Sequence, residues 1–221
     1  MHSLTYLFNK CLNANYKDND IDTSYAFVEE GDTLYIYFEG SVTKLDWFHN
    51  FMFKKKPYKD MKNPYKMHRG FLKCWKSIED IIIAKITEKL DDQFKWKSIR
   101  VVGYSHGAAL AMLCHECCWY HRNDIAEDLK TIGFEGPRVY GSYKVKDSLK
   151  ERWKNFRLIR NHTDIVTHVP PFIFGYTHVE EIIKIKRQSF YCFVKAHMWQ
   201  NVMESLNACD FNEDWEIKLY S

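Results

Sequence analysis

A chain of 221 residues, 46% hydrophobic and 16% aromatic, holds enough apolar mass for one full α/β core and is cramped for two domains, so residues 1–221 are expected to form one. Its 32 basic and 29 acidic residues leave a net charge of only +3, which excludes the strongly basic balance of a nucleic-acid binder. Seven cysteines, an odd number, and an opening Met1-His2-Ser3-Leu4-Thr5-Tyr6-Leu7-Phe8-Asn9-Lys10 whose apolar run breaks early predict a reduced, cytoplasmic protein without a secretory leader.

The chain opens with a short helix or irregular arm. Two strands follow, Tyr25 to Glu29 and Thr33 to Phe38, joined at Glu30-Gly31-Asp32, an acidic-glycine turn that suits a hairpin. Glu39-Gly40-Ser41 then leads into a long connection, Val42 to Met67, punctuated by Pro57 and Pro64; a connection of that length is usually functional, and here it is a candidate lid. Within it Trp47, Phe48, Phe51, Met52 and Phe53 come directly before Lys54, Lys55 and Lys56, and from Lys54 to Lys76 nine basic residues stand against the single acid Asp60. Aromatics followed by lysines suit an anionic bilayer, so Asp46 to Lys66 is the segment expected to make any peripheral membrane contact. No apolar run is long enough to span one. From Phe71 onward, Trp75, Ile78, Ile82, Ile86 and Leu90 recur at helical spacing and predict one long amphipathic helix.

Next come Ile99-Arg100-Val101-Val102-Gly103-Tyr104-Ser105-His106-Gly107-Ala108-Ala109-Leu110, a β-branched run meeting a glycine-flanked serine and an alanine-rich helical start. This is G-x-S-x-G in the strand-turn-helix context that the nucleophile elbow requires. The sharp turn pushes the Ser105 hydroxyl toward a base, and the amide of His106 can donate to a developing oxyanion. A strand at Thr131 to Phe134, a helix through Val145 to Trp153 and a strand at Arg157 to Ile159 continue the alternation, and a further hairpin, Val179 to Ile185 with Ser189 to Phe193, precedes a short closing helix. The order predicts an α/β fold: a mainly parallel sheet flanked by helices on both faces, with an antiparallel hairpin near the N-terminus. Asp164, just past a strand end, stands where a hydrolase places its orienting acid. His178 and His197 are the candidate bases. Cys114, His115, Cys117, Cys118 and His121 crowd the elbow helix in a pattern that can ligate zinc. Their shared face should instead pack on the sheet, with cysteine acting as a small hydrophobe, and no metal or organic cofactor is expected.

In these motifs the sequence resembles the class 3 lipases, α/β-hydrolases that include the fungal triacylglycerol lipases. The resemblance runs from about Tyr35 to Val202. It rests on Phe38-Glu39-Gly40-Ser41 with Asp46-Trp47, His68-Arg69-Gly70-Phe71, Gly103 to Gly107, Pro137-Arg138-Val139, Asn161 to Pro171, Tyr176-Thr177-His178 and His197. It implies an oxyanion-hole serine at Ser41, the catalytic acid at Asp164 and the catalytic histidine at His197 in place of His178. The chain departs from the family's usual residues at Glu39, Tyr140 and Ala196. Together these residues predict a serine hydrolase of carboxylic esters, most simply lipid acyl esters, with Ser105, Asp164 and His197 in the triad and Ser41 and His106 at the oxyanion. A thioesterase or acyltransferase would share the acyl-serine chemistry. A non-catalytic membrane or protein interaction module could keep the fold alone.

Overall fold

A computed structural model of the chain describes residues 2–19, 23–40, 54–58, 65–142, 150–161, 164–186 and 195–209. In chain order its elements are α1 (Leu4–Leu12), β1 (Lys17–Asp18), β2 (Ser24–Glu30), β3 (Thr33–Phe38), β4 (Lys55–Pro57), β5 (Lys66–His68), α2 (Arg69–Lys76) and α3 (Glu79–Ile86). They continue with β6 (Lys89–Leu90), β7 (Gln93–Phe94), β8 (Ser98–Tyr104), α4 (His106–His121), β9 (Leu129–Phe134), β10 (Phe156–Asn161), β11 (Glu181–Ile185) and α5 (Trp199–Asn207).

Seven strands form one sheet in the order β1-β2-β3-β8-β9-β10-β11. The β2–β3 hairpin turns at Gly31, whose φ of 60° suits a residue without a side chain, and β1 extends that antiparallel edge. From β3 onward every pairing is parallel, so the C-terminal ends of β8, β9 and β10 lie along one edge. The strands alternate between two cores. Leu34, Ile36, Phe38, Ile99, Val101, Leu129 and Phe156 face the layer of α2, α3 and α4. Tyr35, Tyr37, Val102, Tyr104, Ile132, Phe134 and Ile159 face α1 and α5. A sheet covered on both faces needs apolar residues at consecutive positions, which explains the buried run Val101-Val102-Gly103-Tyr104 in β8.

Helix α1 begins at Ser3, whose hydroxyl accepts the Tyr6 N–H at 3.1 Å, and buries Leu4, Leu7, Phe8 and Cys11 at helical spacing. At α4 the stripe becomes a whole surface: every residue from Gly107 to Cys118 is buried, between the sheet and the α2–α3 pair.

Two expected elements take different shapes. The long helix from Phe71 to Leu90 is two helices and a hairpin. Ser77 N–H and Ile78 N–H make tight i→i−3 bonds to Cys74 and Trp75, and the Ser77 hydroxyl both donates to the Cys74 carbonyl and accepts from Asn19, which ends α2. Asp91 and Asp92, with φ of 49° and 62°, then turn the chain so that Leu90 lies 65% exposed on β6. Of the segment Val42 to Met67, residues 42–53 and 59–64 lie outside the described residues. What is described forms the β4–β5 hairpin, fixed by Tyr58 donating to the buried Glu79 and by the bridge from Met67 to Tyr140. Residues 145–149 of the expected Val145–Trp153 helix and all of Ser189 to Phe193 are likewise outside, and residues 150–155 run as turns.

Candidate active site

The elbow is built by close backbone packing. Ser105 has φ 54° and ψ −119°, a strained conformation for a residue with a side chain, held by its N–H on the Phe134 carbonyl at 2.8 Å and its own carbonyl on the Ala108 N–H at 3.0 Å. A Cβ on Gly103 would stand 2.2 Å from the Gly107 carbonyl oxygen, and one on Gly107 would stand 2.2 Å from that of Phe38. Glycine at both positions therefore lets the first turn of α4 lie directly against β8 and the end of β3. His106 occupies the first helical position, where the backbone N–H has no carbonyl of its own helix to meet.

Ser105 Oγ lies 2.7 Å from His197 Nε2, and His197 Nδ1 lies 2.7 Å from Asp164 Oδ2. A carboxylate only accepts, so the network assigns the proton to Nδ1 and leaves Nε2 free to accept from the serine hydroxyl. Asp164 is 1% exposed, and its Oδ1 accepts the Val166 N–H at 2.8 Å. The His197 ring stacks on Tyr104 with centroids 5.4 Å apart, and the Tyr104 hydroxyl donates to the His197 carbonyl. Asn161 Nδ2 holds the preceding carbonyl, that of Ala196, at 3.1 Å. Ser105, Asp164 and His197, from three separate stretches of chain, thus stand in the hydrogen-bonded order of a serine-hydrolase triad.

Residues 35–174 match the sequence profile of the family described as Lipase (class 3). The chain belongs to the class 3 lipase family. The lipase of Rhizomucor miehei is 28% identical over 164 residues, covering 71% of this chain and 43% of the relative. The lipase of Rhizopus niveus is 29% identical over 155 residues, covering 69% and 39%. The chain thus spans less than half the length of these curated relatives. Among solved structures, the triacylglyceride lipase of Rhizomucor miehei superposes with a TM-score of 0.68 at 23% identity, covering 78% of this chain and 65% of that one. Lipase II from Rhizopus niveus gives 0.67 at 23%, covering 79% and 66%.

In this member of the family the other candidate base is occupied elsewhere. His178 is held between Glu180 Oε1, 2.6 Å from Nδ1, and the Thr167 carbonyl, 2.7 Å from Nε2. Ser41 lies outside the described residues; its neighbour Gly40 packs so closely that a Cβ there would meet the Tyr104 ring at 2.6 Å. Cys114, Cys117 and Cys118 sit in the core, where burial raises the thiols of Cys114 and Cys117 well above their usual range. His115 has Nδ1 on the Thr131 hydroxyl at 2.8 Å and Nε2 on the Arg152 carbonyl at 2.6 Å, leaving no lone pair for a metal. Three polar residues of the site escape sequence reasoning: Tyr104, Asn161 and Glu135. Glu135 had a signal, since it follows β9 at the same sheet edge where Asp164 follows β10.

Proposed function

We propose that this class 3 lipase is a serine hydrolase of lipid acyl esters, and the observation that carries this is the unbroken chain from Ser105 Oγ through His197 to Asp164, with both links at 2.7 Å. Ser105 Oγ attacks the ester carbonyl carbon while its proton passes to His197 Nε2, and Asp164 stabilises the imidazolium through Nδ1–H. The tetrahedral oxyanion takes hydrogen bonds from the His106 amide and from Ser41. Collapse breaks the bond to the alcohol oxygen, which leaves with the proton from His197. Water then attacks the acyl-serine, giving its proton to the same nitrogen, and the carboxylic acid departs as Ser105 recovers its hydrogen. The apolar character of the substrate is supported by Ile165, beside Asp164, and by Met198 and Trp199, beside His197, all 40% exposed or more. No helix among the described residues is long and apolar enough to cross a membrane. We assign lipid contact to the face carrying Lys54 and Lys56, where each lysine near an anionic surface contributes on the order of 1 kcal/mol.

The test is a fluorophosphonate probe together with esters graded in acyl length and head group, offered in solution and on anionic vesicles. Wild-type protein should be labelled at Ser105 and hydrolyse the longer esters best on vesicles, while Ser105→Ala stays folded, unlabelled and inactive. Equal hydrolysis by Ser105→Ala would remove the serine mechanism. Preference for a thioester, or for an alcohol acceptor over water, would make the chain a thioesterase or acyltransferase.

A further inference from the structure

Behind the triad acid lies a second carboxyl group that the mechanism above does not use. Glu135 directly follows β9 with φ 53°, a left-handed conformation unfavourable for a residue with a Cβ, and it is 0% exposed. Its Oε1 accepts the Asn161 N–H at 2.5 Å, whereas Oε2 is buried with no protein donor to it among the described residues. One carboxylate oxygen of Glu135, one of Asp164 and a ring nitrogen of His197 all lie within 4.8 Å of one another. A strained backbone and an unpaired buried polar atom each oppose folding, and here both fall on a single residue against the triad.

Two carboxylates this close in a dry site cannot both carry charge. The groups facing the pair decide which one keeps the proton. Asp164 receives the His197 Nδ1–H and the Val166 N–H, two donors that favour its charged form. Glu135 receives one backbone N–H, from Asn161, and Arg160 on β10 is the cation acting on it. Tyr104, on β8, is itself pushed above its usual range, by burial first and then by Glu135 and Asp164, so it offers no compensating charge. Burial first, and then the Asp164 charge, raise the Glu135 carboxyl well above the usual carboxylate range.

We propose that Glu135 is a positioning residue: as a protonated acid it presents its Oε2–H to the Asp164 carboxylate, fixing that side chain and moderating its pull on His197. Oε1 is taken by Asn161, so the proton belongs on Oε2, and a buried O–H needs an acceptor, which the Asp164 carboxylate supplies. The inference rests on the triad reading and adds a fourth member behind it. It also distinguishes this acid from an ordinary Asp–His pair, because Asp164 then shares its charge among three donors, His197, Val166 and Glu135.

The experiment compares wild type, Glu135→Gln and Glu135→Gly by the pH dependence of kcat/KM on a short soluble ester. Gln keeps an acceptor for Asn161 and a neutral donor for Asp164, so the acidic limb should stay where it is in wild type. Gly relieves the strained φ but leaves Asp164 uncompensated, so kcat should fall several-fold and the acidic limb should move to higher pH. If Glu135 were ionised, Gln would remove a negative charge beside His197 and move the limb down by about one unit or more, which overturns the proposal. A stability change with no movement of the limb in Gly would reduce Glu135 to a structural residue and overturn it as well. Infrared spectroscopy of the wild type supplies a readout independent of activity: a protonated-carboxyl carbonyl band should persist at pH 8, and its absence contradicts the assignment. Should the wild type hydrolyse no ester, the functional reading fails and the infrared result alone decides whether Glu135 is protonated.

Discussion

Ser105 and Asp164 follow strands on either side of β9 at the same sheet edge, yet they are held by opposite means. The serine is placed by missing atoms: glycines at 103 and 107 let backbone lie on backbone, with no room for one more carbon. Asp164 is placed by buried polar groups, its N–H on the Asn161 carbonyl, its carbonyl on the Thr167 hydroxyl and its carboxylate between Val166 and His197. Close backbone packing gives one rigid geometry and is indifferent to pH, whereas a polar network answers to protonation. One triad thus combines a fixed nucleophile with a tunable acid–base pair.

The largest effect is expected at the base. His197→Ala should lower kcat/KM by a factor on the order of 10³ or more, and His178→Ala, remote from Ser105 in the hydrogen-bond network, far less. A reversed ranking in steady-state rates would mean that the working geometry differs from the one described. Next in size is the packing side. Gly107→Ala places a carbon against two backbone carbonyls, those of Phe38 and Glu39, and should cost about 3 kcal/mol or more in chemical denaturation. Gly31→Ala, with nothing within 4 Å but a φ of 60°, should cost about 1 kcal/mol. Equal losses at the two positions would mean that conformation, and not contact, governs the elbow.

At neutral pH the smallest effect is on the polar side, away from the site, where the loss appears only on acidification. Burial pushes His115 down to about 4 from 6.5, so the folded state keeps it neutral where the unfolded chain takes up a proton. The associated stability is present above pH 6.5 and is lost as pH falls toward 4, with a slope of at most about 1.4 kcal/mol per pH unit. His115→Gln should flatten that part of the stability–pH curve. An unchanged slope would show that His115 is charged in the fold or titrates alike in both states.

The sequence makes backbone packing easier to read than polar contact. The β2–β3 hairpin, β8, the elbow and β9 all follow from alternation, a glycine turn and the G-x-S-x-G spacing, because each is a local pattern. The helix expected through Leu90 fails because Ile78, Ile82 and Ile86 are buried across the break, so the apolar stripe continues although the backbone does not. The interruption depends on Asn19 reaching Ser77 across 58 residues, which no local pattern records. Asp164 is legible from its strand end. Choosing between His178 and His197 needs the family resemblance, since the residues alone leave both open. Glu135 obeys the same strand-end rule as Asp164, but the Gly136-Pro137 pair that follows disguises it as turn chemistry.

Helix α4 carries a different consequence, one that bears on assembly. With every residue from Gly107 to Cys118 buried, it has no side that water can solvate favourably, and its cover comes from β8 and β9 on one side and α2 and α3 on the other. In a chain emerging from a ribosome, α2, α3 and β8 are made before α4 and β9 after it. The β3–β8 pairing that seats β8 in the sheet must also close a gap of more than sixty residues. Until those partners dock, the helix that follows Ser105 leaves apolar surface exposed on every side. The requirement that fixes Ser105 in the folded chain is therefore also what exposes the half-made one to aggregation.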